Sequence, residues 1–215
     1  MGDNFLKGAM WGTPLIVLSL LLGMPQGYAA SQAGTVVTNP DFSQKLAKAK
    51  AGDVRAQYDL ARSYQTGVNG VVDEEKAIFW LQKAADQGLM EAETSLGSAY
   101  DTGMGVPISS RKAVFWWQRA AKHGSLFALR CLGYSYIEGR GVAPSNLSAY
   151  VIWRQLPPDD AEAVGILEAL RKNLSAEELA KGDAMTLEDV FGTGGLTKNQ
   201  PATKPAEKRN DNDSE

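Results

Sequence analysis

The chain repeats itself every 36 residues. The stretch KAIFWLQKAADQG (residues 76–88) returns as KAVFWWQRAAKHG (residues 112–124), identical at eight of thirteen positions. The same shift brings Ala56, Ala92 and Ala128 into register, then Leu60, Leu96 and Leu132, then Tyr64, Tyr100 and Tyr136. Gly67, Gly103 and Gly139 follow, and Ala77, Ala113 and Ala149 after them. No other feature limits the fold so strongly. A period of this length marks one supersecondary unit that cannot bury its apolar face alone, so consecutive units must stack into a continuous core.

Each unit reads as two helices. In the first, Ala, Leu and Tyr fall at i, i+4 and i+8, with Ala61, Gly97 or Gly133 at i+5, which is one face of a 3.6-residue period. Gly67, Gly103 and Gly139 stop it, as glycine past a helix end does. A turn follows, carrying a second glycine (Gly70, Gly105, Gly141) and a valine. Asp73, Ser109 and Ser145 then stand where an N-cap is needed, because each can accept a hydrogen bond from an orphan backbone N–H. In the second helix, Trp80, Trp116 and Ile152 share a column read as core, with Phe79 and Phe115 beside it, and the neighbouring Trp117 is expected to be partly exposed. Ala84, Ala85, Ala120 and Ala121 allow close crossing, and Gly52, Gly88 and Gly124 close each unit.

The flanks differ. Asn39 and Pro40 suit the N-cap and first turn of a capping helix. Pro157 and Pro158 are expected to end the last second helix. Beyond them one helix would bury Val164, Leu167, Leu170 and Leu174, and another would start at a capping box of Ser175 and Glu178. Residues 193–215 are polar and rich in Gly, Pro and Lys, a composition that resists folding. At the other end, residues 8–24 carry no charge, follow Lys7 and precede the small residues of GYAASQAG. That order reads as a secretory signal peptide, with an uncleaved membrane anchor as the alternative. The expected layout is therefore 1–30 leader or anchor, 31–51 linker and capping helix, and 52–156 three repeats (52–88, 89–124, 125–156). It continues with 157–192 as C-terminal capping helices and 193–215 as a disordered tail.

Only Cys131 is present, so no internal disulfide can form and an exported fold must stand on packing. The thiol is read as buried, with pairing to another molecule as the alternative. A net charge of −3 gives the chain no electrostatic pull toward nucleic acid or anionic lipid.

The phrase A-x-x-x-L-G-x-x-Y-x-x-G-x-G-V, followed by K-A-x-x-W and A-A-x-x-G, resembles the Sel-one-like repeat, a relative of the tetratricopeptide repeat. The second unit matches best; the first has Ala61 for Gly, and the third loses the Lys, the Trp column and the final Ala-Ala. The resemblance implies an all-α, short right-handed α-solenoid of helix-turn-helix repeats with helical caps. It implies a scaffold or adaptor that binds protein partners, often in membrane-associated or exported assemblies.

The residues themselves offer no catalytic pattern, metal-ligand spacing or phosphate-binding loop, so no catalytic, cofactor or metal residue is expected. His123, the single histidine, occupies a variable slot before Gly124 and reads as surface decoration. An exported hydrolase is the rival reading: some cysteine-rich relatives are associated with β-lactams, but their disulfide pairs are missing here. A membrane-anchored assembly factor is a third reading, and the membrane would then be met only through the N-terminal segment. The sharper signal lies opposite the buried stripe of the first helices, on the face that lines a solenoid's concave groove. Arg55, Asp59 and Arg62 occupy it in the first repeat, Glu91, Ser95 and Ser98 in the second, and Phe127, Cys131 and Tyr134 in the third. The last set is apolar and should be covered, either by the chain's own C-terminal helix through Val164, Leu167 and Leu170 or by a partner peptide or helix. Arg55, Asp59, Arg62, Glu91, Phe127 and Tyr134 are thus the candidate partner-binding residues.

Overall fold

The computed structural model describes residues 40–68 and 72–192. The leader or anchor, the linker, Asn39, Gly70 and the polar tail lie outside the described residues. Within them the chain is all-helical. A capping helix α1 (Pro40–Lys50) precedes three helix pairs: α2 (Val54–Thr66) with α3 (Glu74–Asp86), α4 (Met90–Thr102) with α5 (Ser110–Lys122), and α6 (Leu126–Glu138) with α7 (Asn146–Trp153). Three further helices close the stack: α8 (Ala161–Asn173), α9 (Ala176–Ala184) and α10 (Leu187–Gly192). Each helix packs on the next along the chain from α1 to α8, the nearest-neighbour pattern of a solenoid.

The repeated residues set the helix boundaries. Asp73, Ser109 and Ser145 accept from the backbone N–H groups of Lys76, Lys112 and Ser148. Gly67, Gly103 and Gly139 end α2, α4 and α6 in the left-handed conformation that suits a residue without a Cβ. Between these stops and caps, the backbone N–H of Asp73, Ser109 and Ser145 reaches back to the carbonyl of Tyr64, Tyr100 and Tyr136 at 2.8–3.0 Å. The turn is thereby closed the same way three times. Lys76 and Lys112 lie over the rings of Tyr64 and Tyr100, at 5.7 and 5.0 Å from the centroids, which accounts for the lysine column.

The core differs from the expectation at the tryptophans. Trp116 and Ile152 are buried as expected, but Trp80 is only half buried, and Trp117, expected to be partly exposed, is 3% exposed; Trp153 is fully buried. A second buried column, 81/117/153, lies one residue after the expected one and holds Leu81, Trp117 and Trp153. Its size is matched by the small residue of the facing first helix. A Cβ on Gly97 would lie 2.3 Å from the ring of Trp117, and a Cβ on Gly133 would lie 2.3 Å from that of Trp153. The smaller Leu81 shares its cluster with Ala61, which already carries that methyl group. Ala61 in place of glycine is thus the counterpart of leucine in place of tryptophan. Phe79, expected to add buried area, is 44% exposed.

The C-terminal end also departs from expectation. α7 stops at Trp153, four residues before Pro157, and the chain continues through short turns at Gln155 and Leu156. α8 is capped by Asp160, which accepts from the backbone of Ala163, and it buries Ala163 and Leu170 but leaves Val164 43% exposed. Leu167 and Leu174 are half-buried against the same core, so of the expected set only Val164 turns outward. The capping box of Ser175 and Glu178 starts α9 as expected. Val190 and Phe191 of α10 are buried in the same cluster as α7.

Candidate functional site

The first helices α2, α4 and α6 present the columns 55/91/127, 59/95/131 and 62/98/134 side by side. Arg55 Nη1 lies 3.1 Å from Glu91 Oε1, which ties α2 to α4, and its Nε lies 3.4 Å from Asp59. Arg62 is exposed. On α4 the hydroxyls of Ser95 and Ser98 donate to the carbonyls of Glu91 and Thr94 one turn back, leaving a small floor whose donors are used locally. The six candidate residues thus divide into an ion-paired end with Arg62 beside it and an apolar end.

That apolar end is covered only in part. Phe127 is 54% exposed and its neighbour Leu126 43%. Cys131 is half-buried, and burial pushes its thiol up to about 11, with the Asp101 carboxylate adding to the effect. Tyr134 stacks edge-on against Trp153 and donates to Glu162 at 2.7 Å. That hydrogen bond and the neighbouring carboxylate hold the phenol above its ordinary value. The C-terminal helix meets this strip through Glu162 and its N-cap Asp160, both paired with Arg130, and Leu167 and Leu170 lie in the same packed cluster as Cys131 and Tyr134, whereas Val164 is exposed. The expected apolar cover thus lies near Cys131 and Tyr134 and leaves Phe127 open.

A second cluster was hidden from the sequence reading. Glu93 of α4 is fully buried, with Arg119 Nε 3.0 Å from one carboxylate oxygen and His123 Nδ1 2.7 Å from the other. Arg119 also donates to the carbonyl of Ala85 at 2.9 Å. His123 is thus a partner of a buried carboxylate and not surface decoration, although its side chain keeps 46% of its exposure. One repeat earlier the same two positions hold Gln57 and Gln87, whose side chains bond at 2.8 Å. That paired change across 36 residues was the signal available in the sequence. The trio joins the two helices of one repeat and leads into it from the last; it is structural. Among the described residues no three His, Cys, Asp or Glu side chains gather as a metal site requires.

Stacked helix pairs with one repeated capping pattern, and a face of varied side chains, define an α-solenoid. Residues 54–89, 91–125 and 128–155 each match the Sel1 repeat. A Sel1 repeat protein from Oxalobacter formigenes is 33% identical over 60% of this chain and 98% of its own, with a TM-score of 0.54. The chain belongs to the Sel1 repeat family. It is also similar to a protective antigen present in uropathogenic Escherichia coli strains, which displays an SLR fold. Identity there is 23%, covering 85% of this chain and 49% of that one, with a TM-score of 0.49. No curated protein matches. Sel1 repeats generally mediate protein–protein interaction, and proteins built from them are typically non-enzymatic scaffolds.

Proposed function

We propose that the chain is a non-enzymatic adaptor of the cell envelope, periplasmic or secreted, that holds a segment of a partner protein on the face of α2, α4 and α6. Phe127 carries this reading. It is 54% exposed beside Leu126, itself 43% exposed, and the fold's own C-terminal helix leaves it open. An aromatic side chain left in water beside further apolar surface is the usual anchor of a protein contact. Arg55, Asp59, Arg62 and Glu91 supply the polar wall that orients the bound segment, and Tyr134 supplies a second ring beside the anchor. The uncharged run of residues 8–24, followed by small residues, supports export.

The test replaces Phe127 with a photoreactive phenylalanine analogue in the full-length chain, expressed in cells that carry it. The expected result is one cross-linked protein from the envelope fraction, lost when the analogue is moved to the exposed end of α1 at Lys50. Identical adducts from both positions would show that the face has no special partner. Export is read separately from the mass of the isolated protein, which should fall short of the full-length 23.1 kDa by the leader. A full-length product in the cytoplasmic fraction would sink that part of the proposal.

A further inference from the structure

Resting on the reading that this face binds a protein segment, we infer that the segment is a basic amphipathic helix, with an apolar stripe on Phe127, Cys131 and Tyr134 and Lys or Arg side chains at its edges. Two observations meet here. The first is spacing. Phe127, Cys131 and Tyr134 follow i, i+4 and i+7, a helical stripe that is open at Phe127 and half-covered at Cys131 and Tyr134, of the kind that receives another helix lengthwise. The small floor of Ser95 and Ser98 lies beside it on α4.

The second is the charge along the rim. Arg140 lies 3.5 Å from Asp101 and also pairs with Glu138. Arg130 pairs with Asp160 and lies 3.0 Å from Glu162. Five of these six groups border the strip: Asp101 and Arg140 are close enough to act on the Cys131 thiol, and Glu138, Glu162 and Arg130 on the Tyr134 hydroxyl, with Asp160 joined to them through Arg130. Each guanidinium is shared between two carboxylates, so four negative groups face two positive ones. At the opposite end of the face, Arg55 and Arg62 balance Asp59 and Glu91. The negative surplus is therefore local to the apolar strip. A Lys or Arg arriving from outside completes a half-paired carboxylate, whereas an acidic segment or an anionic lipid meets like charge. Glu138 and Glu162 keep nearly half their side-chain exposure and remain within reach of such a partner.

A displayed library of random peptides, selected on the full chain and depleted on Phe127→Ser, tests the inference. Enrichment of sequences with apolar residues at helical spacing and an excess of Lys and Arg supports it. For the best peptide, Glu138→Gln and Glu162→Gln should each weaken binding about two- to fivefold, with less loss at high salt than the unmodified chain shows. Their unfolding temperatures are measured alongside, so that lost structure is not read as lost charge. Enriched peptides that are acidic or uncharged but still need Phe127 would overturn the basic partner and leave the binding face standing. Failure to recover any Phe127-dependent peptide would overturn both. A dimer in solution that Phe127→Ser dissolves would also overturn the inference, because a second copy would then be the occupant.

Discussion

Gly133 and Trp153 occupy their places as a pair, and so do Gly97 with Trp117 and Ala61 with Leu81. Each second helix is as bulky at this column as its facing first helix is bare. The exchange predicts a change of sign. Gly133→Ala adds a methyl 2.3 Å from the indole of a fully buried Trp153, so it should destabilise by about 1–2 kcal/mol despite the helical preference for alanine. Trp153→Leu alone opens a cavity and should cost about 3 kcal/mol. In that background Gly133→Ala should raise the unfolding temperature, since it recreates the pair of the first repeat. Equal effects of Gly133→Ala in both backgrounds, measured by thermal melting, would show that the column is not coupled. Gly165, also helical but with open space where its Cβ would go, serves as the control: Gly165→Ala should stabilise by up to about 1 kcal/mol. Sequence alone placed Trp116 and Ile152 in the core correctly but missed Trp117 beside them, because a helix with aromatic residues at both 116 and 117 does not reveal which ring faces the glycine.

At the level of the helix, the legible parts were those written in local chemistry. The caps Asp73, Ser109 and Ser145, the stops Gly67, Gly103 and Gly139, and the capping box at Ser175 depend on residues within a few positions of each other, and all stand where the pattern put them. The outward turn of Val164 and the burial of Glu93 depend on which neighbour a helix meets, and spacing within one helix cannot show that. The caps also carry a pH dependence. Backbone N–H groups of Lys76, Ala163, Ser175 and Thr186 hold the carboxyls of Asp73, Asp160, Glu178 and Asp189 below their ordinary values. A carboxyl lowered by folding stabilises the fold above its unfolded pKa, and that contribution is lost as pH falls through the range below it. The melting temperature should stay level from neutrality to about pH 5 and drop below about pH 4. Replacing Asp73 and Asp160 with Ser, which caps without titrating, should make the drop shallower; an unchanged acid profile would mean that other groups govern it.

Over the whole molecule, buried area is distributed unevenly along the stack. The cluster at the start contains Ala49, Ala56 and Leu60, whereas the one at the far end joins α5, α6 and α7 to the three closing helices. Because each unit is held mainly by its neighbours, local opening should begin at the thin end. Amide exchange is expected to be faster in α1 and α2 than in α5 to α7, and uniform protection would contradict this. Truncation after Pro158 removes Ala163, Leu170, Val190 and Phe191 from the larger cluster and should yield an aggregating product. A truncated chain that stays soluble would show that α8 to α10 are dispensable to the stack. The matched columns bear finally on how such a chain can be rebuilt. A cut made between repeats transfers Gly97 together with Trp117, and the graft keeps its fit. A cut made inside a repeat sets the alanine of one unit against the tryptophan of another, or glycine against leucine, giving a clash or a hole. The unit that can be exchanged without injury is therefore the helix pair and not the helix, and chimaeras of this protein should be spliced at Gly88 or Gly124.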